Sequence, residues 1–174
     1  MLETNRLILV PLTHEQLLLY KYDPPALAKN LGVLYVERQH DPATVGDLAE
    51  ALEFWISQTF LQSHRFEWFT NWEIILKEEP LAIGGIGFSG FPDEVGKTMV
   101  GYGLDVRYHG KGYASEALHA MLTWGFRYPA LTIVVADAPL KHIASQRVLI
   151  KNGFVETHRD DQLTHWKIDR ASQL

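Results

Sequence analysis

The sequence predicts one α/β domain of the α+β kind, six to seven strands and about four helices in the order β-α-α-β-β-β-α-β-α-β-β, and three observations carry this. The chain has 174 residues, about the length of a single domain, so residues 1–174 are read as one unit. Its 47 % hydrophobic and 21 % charged content, with 13 Gly and 8 Pro, is that of a chain with a core and excludes collagen-like, coiled-coil and disordered classes. Segments rich in β-branched and aromatic residues alternate with segments of helical period, with no internal repeat, low-complexity tract or long linker between them.

Arg6 to Leu12 reads as the first strand. Thr13 with Gln16 three residues later forms a capping box that opens a helix, which Pro24-Pro25 is expected to stop. Asp41 before Pro42 suits an N-cap with proline at the first helical position, and Val45, Leu48, Ala49, Leu52, Trp55, Ile56 and Thr59 keep the spacing of one buried face. Trp68, Phe69, Trp72, Ile74 and Ile75 make Glu67 to Lys77 a strand, which Glu78-Glu79-Pro80 turns into another from Leu81 to Ser89. Gly90 to Gly96 is a loop, and Lys97 to Val106 is the next strand. After Arg107-Tyr108-His109-Gly110-Lys111-Gly112, a helix is marked by Ala114, Ala117, Leu118, Met121 and Leu122. The last third holds a strand from Leu131 to Ala136, a helix from about Leu140 to Asn152 with Gly153 as its C′ residue, and strands near Phe154 to His158 and Thr164 to Ile168.

Composition narrows the function. Sixteen Lys and Arg against 21 Asp and Glu give a net charge of −5, the wrong sign for a domain that neutralises a run of nucleic-acid phosphates. With no cysteine there is no disulfide framework, no thiolate metal site and no acyl-cysteine chemistry. His14, His40, His64, His119, His158 and His165 lack metal-ligand spacing, so no metal and no function is assigned to them. No leader pattern opens the chain and no run of about 18 apolar residues occurs, so a cytoplasmic protein without a membrane partner is expected.

Three glycine-rich segments invite a phosphate. Gly85-Ile86-Gly87-Phe88-Ser89-Gly90 matches G-x-G-x-x-G, but Phe91-Pro92-Asp93-Glu94 follows where a dinucleotide site needs a helix. Gly90 to Thr98 is one residue longer than a Walker A loop and leads into a strand, so Gly96-Lys97-Thr98 is read as a hairpin turn. Arg107-x-x-Gly110-x-Gly112 alone has a strand before it and a patterned helix after it. Two glycines let backbone amides approach an anion, and the helix start adds unpaired N–H groups. Arg107, His109 and Lys111 add local cationic character. Taken alone, the spacing serves a tight strand-to-helix turn equally well.

The flanks add to this. Gly101-Tyr102-Gly103-Leu104-Asp105-Val106 through the loop to Tyr113-Ala114-Ser115-Glu116-Ala117-Leu118 resembles the signature of the GCN5-related N-acetyltransferases (GNAT), and especially their ribosomal-protein N-acetyltransferase-like branch. Arg6-Leu7-Ile8-Leu9 with Pro11-Leu12-Thr13 looks like that branch's opening strand. Ala144-Ser145-Gln146-Arg147-Val148-Leu149-Ile150-Lys151-Asn152-Gly153-Phe154 looks like its penultimate helix and following strand, so the resemblance covers nearly the whole chain.

The resemblance implies a mostly antiparallel sheet splayed between its fourth and fifth strands, here Lys97 to Val106 and Leu131 to Ala136, with acetyl-CoA in the opening. It implies that Leu104, Asp105 and Val106 offer backbone groups to pantetheine and thioester. Arg107, His109, Gly110, Lys111, Gly112, Tyr113 and Ala114 lie along the pyrophosphate, and Ser115 adds a hydroxyl. The implied reaction is direct attack of a primary amine, a protein N-terminus or a small molecule, on the acetyl thioester, with no metal. Relatives are often homodimers, and the oligomeric state stays open.

Departures from the family pattern matter. Met99 stands where many relatives carry a glutamate, His142 where many carry a pantetheine-binding asparagine, and Leu149 where a tyrosine often protonates the thiolate. Ser145 occupies the place of the serine proposed as acid in the ribosomal-protein branch, although a serine there also suits packing. Glu73 is the first carboxylate to test as a base, against the plainer reading of a solvated strand face. A poor base inventory favours a low-pKa amine. Trp55, Trp68, Phe69, Trp72 and Phe91 suit an acceptor pocket or, more plainly, the core. The alternative function is a non-catalytic acyl-CoA-binding or sensing domain, which would bind acetyl-CoA and release no CoA.

Overall fold

The computed structural model describes residues 1–40 and 45–173. Its strands are β1 (Leu2–Glu3), β2 (Leu7–Pro11), β3 (Trp72–Leu76), β4 (Ala82–Phe88), β5 (Lys97–Leu104), β6 (Ile133–Pro139), β7 (Val155–Arg159) and β8 (Leu163–Asp169). Its α-helices are α1 (His14–Tyr22), α2 (Pro24–Leu31), α3 (Val45–Leu61), α4 (Tyr113–Gly125) and α5 (Ile143–Lys151). The strands form one sheet in the order β1-β2-β3-β4-β5-β6-β8-β7.

Two apolar clusters hold the layers together. The larger joins Leu7, Leu9, Ile74, Ile83 and Ile86 of the sheet to Leu118, Met121 and Leu122 of α4 and Leu149 of α5. The smaller joins Leu12, Leu17 and Leu27 to Trp55 and Ile56, packing α1 and α2 with α3. All five residues of β3 are buried, as befits a central strand covered on both faces.

Several local expectations are corrected. Pro24-Pro25 does end α1, but it also begins α2, because a proline in the first turn removes an amide that has no helical partner anyway. Asp23 caps the new helix, its Oδ1 accepting from the Ala26 amide at 3.1 Å. The expected N-cap at Asp41 lies outside the described residues. Ser63–Trp68 is a 3-10 segment, so the strand expected from Glu67 begins at Trp72. Trp68 is core instead, its ring 4.7 Å from that of Trp124 and 5.2 Å from that of Phe88. The two-residue β1 is too short for any periodicity to announce.

The pairing of β5 decides where the site lies. β5 and β6 run parallel and pair only at Lys97, Thr98 and Met99 with Ile133, Val134 and Val135. Beyond Met99, β5 stays on β4 and β6 stays on β8, so the sheet opens into the expected V. Among the described residues no helix is long and apolar enough to cross a membrane.

Candidate active site

A cleft of about 900 Å³ fills the V and reaches the loop before α4. On β5, the Ser89 amide donates to Met99 O at 2.9 Å and the Asp105 amide donates to Ile83 O at 2.8 Å. Antiparallel bonding alternates, so Val100, Tyr102 and Leu104 turn their backbone groups away from β4 and toward the opening. This revises the expected backbone donors. Leu104 turns its amide toward the opening, while its carbonyl lies 3.0 Å from His109 Nε2. The Asp105 amide is engaged by β4, and the Val106 amide donates to Gln39 O at 3.0 Å.

The strand stops at Leu104 because the next side chain captures the chain. The Asp105 carboxylate, 2 % exposed, accepts from the Arg107 amide and Nε, both at 2.9 Å, and from the Gln39 amide at 3.1 Å. Arg107, expected on a pyrophosphate, is folded back on Asp105 and on the Glu37 carbonyl at 2.9 Å. Its hydrogen bonds outweigh burial and hold the Asp105 carboxyl well below the ordinary range.

The glycine loop fits an anion. Gly110 and Gly112 have φ of 74° and 83°, which side chains rarely adopt, and nothing stands within 4 Å of a Cβ on Gly110. Gly112 starts α4 with no side-chain cap, so the amides of Tyr113, Ala114 and Ser115 have no intrahelical partner. Lys111 Nζ lies 4.9 Å from the Tyr108 ring, with both residues at the loop. Arg6 braces this corner, its Nε donating to Glu116 Oε2 at 2.7 Å and its guanidinium 4.4 Å from the Tyr113 ring centre. Ser115 Oγ accepts from Asn152 Nδ2 at 3.0 Å, tying the first turn of α4 to the end of α5.

The far wall is α5. His142 is its half-buried N-cap residue and lines the cleft, as does Ser145. Tyr102 reaches across the V: its hydroxyl lies 3.0 Å from Ser145 Oγ and donates to Ser145 O at 3.1 Å. Burial pushes the Tyr102 phenol up to about 12, so it stays protonated. Sequence reasoning gave Tyr102 no role, because its partner is 43 residues away and nothing local marks the pair. Leu149 is fully buried core.

Glu73 is neither solvated nor free. It is 0 % exposed, pairs with Arg38, and accepts from Asn71 Nδ2 at 2.7 Å. Arg38 Nη1 also donates to the Tyr20 hydroxyl at 3.4 Å, and burial followed by the charge of Glu73 raises Tyr20 to about 12. Glu73 is not among the residues that line the cleft, whereas its partners Arg38 and Asn71 are, so it braces that wall from behind. Of the expected aromatics, Trp55 lines the cleft together with Phe54, whereas Trp68 and Trp72 are core. The Gly85–Gly90 match lies in β4 and the turn after it, with β5 rather than a helix following. Gly96-Lys97-Thr98 closes a turn in which the Gly96 amide donates to Asp93 O at 2.9 Å.

Comparison with known proteins agrees with this geometry. The Acetyltransferase (GNAT) domain family matches residues 6–155. The chain is 29 % identical over 170 residues to the uncharacterized N-acetyltransferase YjdG of Bacillus subtilis, spanning 95 % of this chain and 96 % of that one. Its fold is similar to a ribosomal-protein-S5-alanine acetyltransferase from Vibrio fischeri, with TM-score 0.67, 18 % identity and coverage of 97 % and 95 % of the two chains. It is similar too to a RimL ribosomal L7/L12 α-N-protein acetyltransferase in complex with coenzyme A, with TM-score 0.65, 17 % identity and 95 % of each chain covered. With the sheet parted at β5 and β6 and a glycine loop opening an uncapped α4, the chain belongs to the GNAT family and is an acetyl-CoA-dependent acyltransferase.

Proposed function

We propose that this acetyltransferase acetylates a primary amine, a protein N-terminus or a small molecule, by direct attack in a ternary complex. We place it nearest the ribosomal-protein branch. The observation that carries the reading is the edge of β5 that β4 leaves free at Val100 and Tyr102, facing Ser145 across the V. The names of similar structures support an amine acceptor, since they include α-N-protein and spermidine acetyltransferases.

Acetyl-CoA would supply the activated acyl group. Gly110, Gly112 and the amides of Tyr113, Ala114 and Ser115 would receive its pyrophosphate, with Lys111 adding positive charge. The backbone of Tyr102 and Leu104 would hold the donor as an added strand. An amide of this edge would also meet the developing oxyanion, an interaction worth about 3 kcal/mol. Ser145 would be the proton source for the departing thiolate, its hydroxyl lying 3.0 Å from that of Tyr102. With Glu73 engaged by Arg38, the attacking amine would lose its proton to water, which favours acceptors of low pKa.

Thermal shift tests the binding half. Acetyl-CoA at about 100 times its Kd should stabilise the protein by about 2.7 kcal/mol, roughly 5–10 °C for this size, with NAD and ATP giving no shift. CoA release with a panel of primary amines tests the chemistry. A shift with acetyl-CoA but no release with any amine would leave a binding domain.

A further inference from the structure

The cleft has a second polar wall that the reaction above leaves unused. β6 parts from β5 after Val135, and two residues farther along the same face of the strand stands Asp137, which lines the cleft. His165, its partner on β8, has Nδ1 2.7 Å from Asp137 Oδ1 and Nε2 3.0 Å from Asp160 Oδ2 in the turn between β7 and β8. The His158 ring of β7 stacks on His165 at 4.2 Å between centres, and Lys167, farther along β8, is paired with Asp169 at 3.2 Å. Among the described residues Asp137 Oδ2 has no partner.

The surroundings narrow what this carboxylate can meet. Across the opening, nothing stands within 4 Å of a Cβ on Gly101 or Gly103, so β5 offers a bare floor. The other carboxylates lining the cleft are Asp105, locked by Arg107, and Glu50 on α3. Asp137 is therefore the sheet-borne carboxylate with an oxygen to spare. An imidazole between two carboxylates also makes the wall adjustable: the group carries −1 with His165 protonated and −2 with it neutral.

We propose that Asp137, backed by His165 and Asp160, forms the subsite that receives the protonated amino group of the acceptor, with His165 setting the charge of that subsite. The inference rests on the amine-acceptor reading. The ammonium and the ring proton of His165 serve one carboxylate, so they compete. Acid weakens amine binding, and bound amine lowers the pKa of His165 by the same linkage. The hydrogen bonds to Asp160 first and Asp137 second raise that pKa above its ordinary value.

The test uses the full chain saturated with CoA, 2-phenylethylamine as probe and 2-phenylethanol as its neutral isostere, chosen because Phe54 and Trp55 line the cleft. NMR follows both binding and the ring titration of His165. The amine should lower the His165 pKa and the alcohol should not. Asp137→Asn should weaken the amine about two- to fivefold, the range of a partly exposed ion pair, while leaving the alcohol and CoA unchanged. His165→Gln should flatten the part of the pH dependence of amine binding that Asp137→Asn also removes, between about 5 and 8, where the probe itself stays protonated and where His40, His109 and His142 of the cleft and the stacked His158 are unchanged between the variants. A His165 titration indifferent to the amine overturns the proposal. So does an Asp137→Asn variant that keeps full amine affinity, or one that loses amine and alcohol alike. Failure of CoA release with every amine would instead sink the transferase reading, which these binding measurements do not depend on.

Discussion

Replacing Glu73 with Gln leaves the Arg38 guanidinium in the wall of the cleft without its counter-charge. Glu73 is 0 % exposed and the Arg38 side chain only 15 %, so water replaces little of what is lost. Breaking one side of a buried pair costs about 3–5 kcal/mol. Gln retains one acceptor for Arg38 or Asn71, which places Glu73→Gln near 3 kcal/mol at about the low end of that range. At about 2–4 °C per kcal/mol for this size, the melting temperature should fall by roughly 6–12 °C. Adding Arg38→Met removes the orphaned charge, so the double variant should recover part of the loss rather than sum the two single effects. Thermal and urea melts, run beside kcat at saturating acetyl-CoA below the transition, measure this. A Glu73→Gln variant of unchanged stability whose kcat falls 100-fold or more, the range of a lost general base by about two decades, would refute the argument and return Glu73 to the chemistry.

Four further outcomes follow from the geometry. Gly112→Ala forces a side chain into φ of 83°, a strain of about 1–2 kcal/mol, and should weaken CoA binding measured by calorimetry while leaving β5 intact. Ser145→Ala should lower kcat by about 100-fold, the low end for an acid assisting a good leaving group, without changing the Kd of acetyl-CoA. Equal loss in both would make Ser145 a packing residue. Asp105 titrates below its unfolded value near 3.9, so its contribution is complete above about pH 5 and fades as the pH falls toward the folded value. His165 titrates above its unfolded value near 6.5, so its contribution is complete below about that pH and is lost as the pH rises through the folded pKa. Asp105→Asn should flatten the acid side of a stability–pH profile, and His165→Gln the neutral side.

What the sequence determined by itself is what short stretches of backbone decide. The capping box at Thr13 and Gln16, the helix after Gly112 and the turn at Gly96 are set by residues within a few positions of one another, and each is present as expected. The glycine loop was legible for the same reason, since its geometry needs only a strand, two glycines and a helix start. One local signal served two elements: Pro24-Pro25 ends one helix and, with Asp23 as cap, begins the next, which packing against Leu12 and Leu17 holds in place. Tertiary structure alone decided the partners of the charged and polar groups. Arg38 reaches Glu73 across 35 residues, Tyr102 reaches Ser145 across 43, and Asp137 reaches His165 across 28. The direction of a long side chain is chosen by whichever opposite charge lies within reach, and for Arg107, suited to a phosphate, that charge is local: Asp105, two residues back.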